Sequence, residues 1–369
     1  MGNNQSIYFD NRDAVVKDSK RMEQIKMSSK PILTIGIPTY NGSKTIRNML
    51  DILLPQCDSR VEVFVSDNCS TDSTPEIIRQ YQKTYTNVTY SKNETNIGTD
   101  RNIIKCFERA AGDFVWLLSD DDIAIEGSIK EILDLIKQHQ DLGLIYLTTV
   151  HFRGKYTGAK NCQVRQPIAE KNICTTDKNT FMYYAGKDWG FMSSFICNSR
   201  KYREIDNPMQ YAGTLWLQSY IHTLCAMGDS TLIGIVSKPC VGAGIYVNTA
   251  NFDSAQVNGV AYKKLLDFMV SDVGFDKKQL EDLYCWRMCL LGRHDVLKEK
   301  ASGQHKLNKK LLFECMWKYP KAWVTLFPFY LVPDWLCIDA MKLYRKHRGI
   351  KGEITINRPN DSGNERYGG

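Results

Sequence analysis

Short apolar runs alternate with segments of helical periodicity between residues 31 and 150. The runs are rich in Val, Ile, Leu and Phe, and turn-forming residues bound them, as expected for buried strands. In the segments between them, apolar residues recur every three or four positions, which is typical of one face of a helix. The pattern predicts five strands, at 33–37 (ended by Pro38), 61–65, 88–90, 114–118 and 142–147. It predicts four helices, which begin near Ser43, Ser73, Asp100 and Ile129.

Alternating strands and helices of this kind indicate an α/β fold, a mainly parallel sheet with helices on both faces. Such sheets bind ligands at the carboxyl ends of their strands. Polar residues stand at three of those ends, at 39–41, 66–68 and 119–122. The sequence therefore predicts a ligand site at this edge of the sheet.

The rest of the chain divides by composition. Residues 1–30 show no clear period and are expected to be a flexible lead-in to the sheet half at 31–150. A second half at 151–260 is followed by a helical, basic and aromatic region at 261–350. The polar segment 351–369 is predicted to be a disordered tail.

Composition narrows the class of protein. The 369 residues are 43% apolar and 24% charged, values of an ordinary globular chain. Twelve cysteines are scattered without a CxxC pair, which argues against a zinc site or a disulfide framework. Together with the polar first thirty residues, this predicts reduced thiols and a cytoplasmic protein.

Positive charge collects near the C-terminus. The net charge is +7, and residues 291–351 carry 13 Lys and Arg against 5 Asp and Glu. Six aromatic residues lie among these bases, which is typical of a segment resting on an anionic membrane surface. Packing of the same segment on the core is an equal alternative. Nucleic acid is not expected as a partner, because the bases match no recognised module. The aromatic residues are Trp317, Trp323, Phe327, Phe329, Tyr330 and Trp335.

Two clusters carry candidate chemistry. Asp120, Asp121 and Asp122 follow an apolar strand, and their mutual repulsion would be relieved by a hard divalent cation such as Mg²⁺ or Mn²⁺. A solvated turn is the alternative. Asp67 follows the second strand, where a carboxylate can accept hydrogen bonds from a ribose or a base. Arg101 lies at a helix start, a position that favours phosphate.

Four motifs occur in order along this half: IPTYN at 37–41, VSDNCSTD at 65–72, NIGTDRN at 96–102 and LLSDDD at 117–122. Together they resemble the family-2 glycosyltransferases of GT-A fold, and the Ser-Asp-Asp-Asp form resembles O-antigen and capsule sugar transferases. The resemblance implies a nucleotide-diphosphate sugar donor, a divalent metal, and an acceptor site in the C-terminal half. It implies a donor site at Pro38, Tyr40, Asn41, Asp67, Arg101 and Asp120, and metal ligands at Asp121 and Asp122, with Asp121 preferred.

The catalytic base is the weak point of the resemblance. Many members of the family carry an acidic pair beside a Trp in the acceptor region, whereas here Trp216 has no acid beside it. Inverting transfer requires a group that takes the acceptor proton. Asp188, among aromatic residues, is the first candidate, and His222 is the second.

The function predicted from these residues is sugar transfer to a glycan, expected to be lipid-linked, by an enzyme peripheral on the inner face of the membrane. Two alternatives stay open. A degenerate, non-catalytic member that binds a membrane or partner would explain the missing acid near Trp216. A sugar-phosphate nucleotidyltransferase would need a glycine-rich loop after the first strand, which 38–42 does not supply.

Overall fold

The computed structural model describes residues 30–152, 156, 158, 162–164, 166–244, 253, 255–302 and 308–347. Both the predicted lead-in, up to residue 29, and the predicted tail lie outside these residues. Within the described ranges, no helix combines the length and the apolar character needed to cross a bilayer.

Among the described residues, ten strands form one sheet. Their order is β3-β2-β1-β4-β9-β6-β10-β5, with β7 paired to β6 and β8 paired to β10. The five strands predicted from the sequence correspond to β1, β2, β3, β4 and β6. The strands are β1 (Leu33–Thr39), β2 (Val61–Asp67), β3 (Val88–Lys92), β4 (Phe114–Leu117), β5 (Ile123–Ala124), β6 (Leu144–Phe152), β7 (Cys162–Val164), β8 (Ile173–Thr175), β9 (Phe195–Asn198) and β10 (Ile233–Gly244).

Twelve α-helices occur in the described ranges, with a π-helix at Ala255–Ala261 and a short 3-10 helix at Met192–Ser194 that both bear on the site. The four helices predicted before residue 150 are α1 to α4. The α-helices are α1 (Ile46–Leu53), α2 (Thr74–Gln82), α3 (Thr99–Arg109), α4 (Ser128–Gln138), α5 (Lys178–Ala185), α6 (Ser199–Arg203), α7 (Leu217–Cys225), α8 (Tyr262–Ser271), α9 (Lys277–Ser302), α10 (Lys309–Met316), α11 (Pro320–Leu331) and α12 (Asp334–His347).

The two faces of the sheet bury two separate cores. Successive side chains of a strand point to opposite faces, so Val63 and Val65 join the core under α1, α2 and α4, whereas Phe64 joins the core under α3, α5 and α7. The second core also takes in α8, α9 and α10. Helices therefore cover both faces, which confirms the predicted fold class.

Strand direction brings the polar clusters to one edge. The four strands β1, β2, β3 and β4 run parallel, and β6 runs parallel to β10. Because β9 is antiparallel to both β4 and β6, these last two point the same way. The carboxyl ends of β1, β2, β4, β6 and β10 consequently share one edge of the sheet.

Two local predictions were wrong. Strand β1 does not end at Pro38 but runs on to Thr39. Past Gly36 it pairs with β2 alone, so the absent N–H of Pro38 interrupts no bond to β4. Ser43 does not cap α1, because the N-cap position belongs to Thr45 and no side chain caps it. The Ser43 N–H instead donates to Asp72 (3.1 Å).

Candidate functional site

The loops that follow β1 and β2 are tied to each other. The Asn41 N–H donates to Ser70 Oγ (2.8 Å), and the Asn41 side-chain oxygen accepts from the Thr71 N–H (2.8 Å). Asn41 has a left-handed backbone (φ 54°), which Asn tolerates better than most residues. Its neighbour Tyr40 is 50% exposed, although it is a large aromatic side chain. An exposed ring on a fixed loop is suited to stacking on a planar ligand.

Asp67 ends β2 and is fully buried. Its two oxygens accept hydrogen bonds from the Ser70 N–H (2.7 Å) and the Tyr90 hydroxyl (2.7 Å). The carboxylate predicted to contact a nucleotide is therefore already engaged inside the protein. Its visible role is to fix the loop whose Ser70 holds Asn41.

Asparagine side chains join this loop to the start of α3. The Ile97 N–H donates to Asn68 Oδ1 (2.9 Å), and Ser66 Oγ donates to Asn102 Oδ1 (2.7 Å). Arg101 is exposed in the first turn of α3. The predicted anion-binding turn thus stands at the same edge of the sheet as Tyr40 and Asn41.

Asp120 follows β4 and lies against the loop after β1. Its Oδ2 accepts a hydrogen bond from the Thr39 hydroxyl. Gly42 makes this approach possible, because a Cβ there would stand 2.2 Å from Asp120 Oδ2 and 2.6 Å from Thr39 Oγ1. A side chain at this position would displace Asp120 or Thr39, so the glycine allows Asp120 to lie beside the predicted donor-binding loop.

Asp122 is turned inward. Its oxygens accept hydrogen bonds from Ser193 Oγ (2.6 Å), on the 3-10 helix, and from the N–H of Gly244 (3.1 Å), at the end of β10. Burial, and then the charge of Asp121, raise the pKa of Asp122 to about 8. The predicted metal ligand Asp122 therefore connects three elements below the site and does not lie at its surface.

The chemistry of Asp120 and Asp121 fits a divalent cation. Burial raises the pKa of Asp120, the hydrogen bond from Thr39 opposes this, and the charge of Asp121 raises it further, to about 6. Negative charge is thus poorly compensated here. Mg²⁺ needs only one or two carboxylates when substrate phosphates complete its coordination. In the described ranges, no three or more His, Cys, Asp and Glu side chains form a metal-binding group, so the donor would supply the other ligands.

Asp188 lies in a second polar group on the same side of the sheet. Tyr146, within β6, donates its hydroxyl to Asp188 Oδ2 (2.8 Å). His151, near the end of β6, has Nε2 3.7 Å from Asp188 Oδ1. Asp188 and His151 are 4% and 6% exposed. The sequence predicts Asp188 as a site residue, whereas neither Tyr146 nor His151 was predicted.

His222 is placed in the apolar core. It lies within α7, is fully buried, and packs against Phe195 with ring centroids 4.7 Å apart. In the part of the chain that the structure describes, neither ring nitrogen has a hydrogen-bond partner. Burial lowers the pKa of His222 to about 3. The structure does not bring His222 together with the other candidates.

Trp216 lies where the resemblance expected an acidic pair. Its ring contacts Gly190, where a Cβ would stand 2.3 Å from Trp216 Cζ3. Gln218 donates its side-chain N–H to the Gly190 carbonyl (3.1 Å). The guanidinium of Arg287, from α9, stacks over the Tyr262 and Trp216 rings at 4.1 and 4.8 Å from their centroids. An amide and a cation, not a carboxylate pair, border this part of the site.

Local sequence carried little signal for the residues that were missed. His151 and Tyr146 belong to one strand, and their spacing of five puts them on opposite faces of an ideal strand. Ser193 and Arg287 lie far along the chain from the groups they contact. The insertion of β9 between β4 and β6 sets the position of the strand residues, and the packing of α9 brings Arg287 to Trp189 and Trp216.

Similarity to known proteins provides evidence that is independent of the site geometry. Residues 34–198 match the sequence model of the family described as glycosyl transferase family 2. The matched region ends where β9 ends. It contains the loops after β1 and β2, the acidic residues after β4, and Asp188.

Two curated relatives illustrate the range of similarity. The chain is 26% identical over 255 residues to the abequosyltransferase RfbV of Salmonella typhimurium, covering 64% of this chain and 72% of that protein. It is 35% identical over 127 residues to the poly(ribitol-phosphate) β-N-acetylglucosaminyltransferase TarS of Staphylococcus aureus, covering 33% of this chain and 22% of TarS.

The fold has a counterpart among solved structures. Residues 1–349 of S. aureus TarS, crystallised with UDP-GlcNAc, superpose with a TM-score of 0.54 and 16% identity. The match covers 79% of this chain and 81% of that one. At this identity the likeness concerns the fold.

Proposed function

We propose that the chain is a family-2 glycosyltransferase of GT-A fold, which the family match over residues 34–198 and the superposition on TarS support, and that it transfers one sugar from a nucleotide-diphosphate sugar to a hydroxyl of a glycan during surface polysaccharide synthesis. One observation carries the proposal. The Thr39 hydroxyl joins Asp120 to the loop of Tyr40 and Asn41, so diphosphate-side and nucleotide-side groups form one continuous site.

The donor is held by residues at the edge of the sheet. Tyr40 and Asn41 lie beside the nucleotide base, Pro38 and Asp67 fix the loops that carry them, and Arg101 faces the phosphates at the start of α3. Asp120 and Asp121 would hold a divalent metal, Mg²⁺ or Mn²⁺, and Asp122 would support them from below. When bound, the metal neutralises the charge of the leaving diphosphate.

Transfer proceeds with inversion in this proposal. The acceptor hydroxyl loses its proton to the group around Asp188, attacks the anomeric carbon, and displaces the nucleoside diphosphate. The buried Asp188 and the aromatic neighbours of Trp216 support an acceptor site on that side.

The acceptor is proposed to be lipid-linked, with the enzyme peripheral on the cytoplasmic face of the membrane. Seven of the large apolar side chains of α10 to α12 and their connections are exposed, among them Val324 at 77% and Trp317 and Trp335 at 64%. Residues 308–347 carry seven Lys and Arg against three Asp and Glu. Exposed apolar groups beside positive charge favour an anionic lipid surface.

One structural observation favours an alternative function, a chain that binds a nucleotide sugar but does not transfer it. The Gln218 amide lies where relatives of this kind were expected to carry an acid, which favours a chain that binds nucleotide sugar without transferring it. An assay of donor hydrolysis or transfer distinguishes the transferase from this binding protein. A binding protein would show the thermal shift but would release no nucleoside diphosphate.

The first test measures donor binding and turnover together. We expect one class among UDP-, GDP-, CDP- and dTDP-sugars to raise the melting temperature of the purified chain, with a larger shift when Mn²⁺ is present. Asp121→Asn should lower donor turnover about 100-fold or more, because a metal supplies several kcal/mol to the transition state. Its unfolding midpoint should not change.

A matched variant controls for the loss of a carboxylate. Glu126→Gln removes an exposed acid a few residues from Asp121, and it should retain wild-type turnover. Full activity of Asp121→Asn, or of the wild type in excess EDTA, would contradict the metal assignment. No shift with any of the four donor classes would contradict the proposed function itself.

A further inference from the structure

Three buried polar side chains meet beside the acceptor side of the site. They are Asp188, Tyr146 and His151, and they come from a 3-10 turn and from two positions of β6. Buried polar groups are costly unless they are paired, so a group like this one calls for an explanation. The described residues offer His151 Nε2 no hydrogen-bond partner, although it is buried 3.7 Å from Asp188 Oδ1.

Asp188 is poorly placed to be the base itself. One of its oxygens is occupied by the Tyr146 hydroxyl at 2.8 Å. The other, Oδ1, faces the His151 imidazole, 3.7 Å from Nε2. A general base must come within hydrogen-bond reach of the hydroxyl from which it takes a proton. The geometry of Asp188 instead resembles that of a carboxylate that orients a histidine.

His151 is connected through the backbone and side chains of two elements to Asp122, the acidic residue below the donor site. Ala243, in β10, is its register partner, and the next residue, Gly244, donates its N–H to Asp122. A second connection runs from Thr149, whose hydroxyl is 2.7 Å from that of Ser194, to the 3-10 helix whose Ser193 donates to Asp122. Two short paths thus place His151 at the border of donor and acceptor sides.

We propose that His151 is the catalytic base of the transferase and that Asp188 and Tyr146 are its positioning residues. This rests on the function proposed above. Asp188 accepts the Nε2 proton of His151, so the imidazole lone pair stands on Nδ1. The 3.7 Å separation contracts on substrate binding, as catalytic hydrogen bonds commonly do.

In the transfer step, one bond forms and one bond breaks at the anomeric carbon. The acceptor oxygen forms a bond to the anomeric carbon, and the bond from that carbon to the diphosphate oxygen breaks with its electron pair leaving on the nucleoside diphosphate. The hydroxyl proton moves to Nδ1 of His151. The resulting imidazolium is stabilised by the Asp188 carboxylate and later releases its proton to water.

The first experiment reads the histidine directly and requires no acceptor. In the ¹⁵N spectrum of the full chain labelled at its six histidines, the signals of His151 are assigned by their loss in His151→Gln. At pH values where its ring is neutral, we expect the tautomer with the proton on Nε2. Asp188→Asn should weaken that preference. A neutral ring with its proton on Nδ1 in the wild type would overturn the arrangement.

The second experiment separates catalysis from binding. With the nucleotide sugar that shifts the melting temperature of the wild type, His151→Gln should lower kcat by ~10²–10⁴-fold and leave the thermal shift by that donor unchanged. Asp188→Asn should lower kcat by at least about tenfold, and Tyr146→Phe by less. Imidazole added to His151→Gly should restore part of the lost rate, which a purely structural role would not allow.

The outcomes distinguish the two proposals. His139→Gln, a histidine at the C-terminal end of α4, is the control and should keep wild-type kcat. Near-normal kcat of folded His151→Gln in an active transferase would overturn the base assignment and leave the proposed function standing. Donor binding without any turnover by the wild type would refute the transferase and with it any catalytic role of His151.

Discussion

At the scale of single residues, Gly42 determines how closely Asp120 approaches the loop after β1. Its missing side chain lets Asp120 and the Thr39 hydroxyl meet above the backbone. We expect Gly42→Ala to lower donor affinity about tenfold or more, because the added methyl group overlaps a carboxylate oxygen and forces Asp120 away. Titration of the thermal shift with the nucleotide sugar measures this effect.

The same substitution at the opposite edge of the sheet provides a contrast. At Gly143 a Cβ would stand 2.4 Å from the Cys225 carbonyl oxygen, which is backbone and cannot move aside easily. Gly143→Ala should therefore lower stability by about 1–3 kcal/mol while the folded molecules bind the donor normally.

Equal donor affinity in Gly42→Ala and wild type would show that Asp120 does not contribute to binding.

His222 makes stability depend on pH. Its pKa is about 3 in the folded protein and about 6.5 in the unfolded chain. Between these values the unfolded chain binds one more proton, so the free energy of unfolding falls with decreasing pH by up to about 1.4 kcal/mol per unit. By pH 5 the loss is about 2 kcal/mol.

Replacing His222 by Phe should remove this contribution. Urea unfolding at pH 7, 6 and 5 should show a difference between pH 7 and pH 5 that is smaller by about 2 kcal/mol in the variant than in the wild type. His139→Gln, which replaces a half-buried histidine, serves as the comparison. Identical pH profiles for His222→Phe and wild type would contradict the buried, neutral state of His222.

At the scale of elements, Asp122 fastens β4, the 3-10 helix and β10 together. Above about pH 8, where the Asp122 carboxyl is ionised, Asp122→Asn keeps the size of the side chain but turns an amide N–H toward one of two donors, Ser193 Oγ and the Gly244 N–H. We expect a loss of about 1–3 kcal/mol in the free energy of unfolding. Denaturant titration measures it, with Asp121→Asn as the matched control. Equal stability of the two variants would mean that Asp122 has no structural role.

Sequence periodicity predicted the first half of the fold because its signals are local. The apolar face of α1, with Ile46, Met49, Leu50 and Leu53, is written into eight consecutive residues. The strand β9 escaped prediction, since its four residues are set by partners in β4 and β6 that lie tens of residues away. The predicted boundary at residue 150 likewise falls inside β6.

The candidate site likewise has one part that the sequence predicts and another part that it does not. The positions of Tyr40, Asn41 and Asp120 at one edge follow from strand ends, which a sequence reveals. That Asp67 and Asp122 are buried beneath that edge depends on Tyr90 and Ser193, which no local pattern connects to them. The polar group of Asp188 depends in addition on the register of β6.

At the scale of the whole molecule, the C-terminal helices should determine membrane binding. Trp317→Ser with Trp335→Ser removes two exposed aromatic anchors, and Lys318→Glu with Lys321→Glu reverses two charges. Each pair should reduce sedimentation with vesicles of 70% phosphatidylcholine and 30% phosphatidylglycerol about tenfold or more, since a basic residue contributes about 1 kcal/mol near such a surface. Only the charge pair should lose its effect in high salt.

Neutral phosphatidylcholine vesicles are the control for the lipid charge, and binding to them should be weak in all variants. Unchanged sedimentation of both pairs with the anionic vesicles would favour packing of these helices on the protein in place of lipid contact.

The insertion of β9 between β4 and β6 also has a consequence during synthesis. When the ribosome has made residue 152, β1, β2, β3 and β4 can pair, but β4 and β6 still lack the strand that joins them. About forty further residues must emerge before β9 is available, and until then the edges of β4 and β6 that β9 joins in the finished sheet stay unpaired. The nascent chain is therefore most exposed to aggregation and chaperone binding at this intermediate length, and not at its beginning or its end.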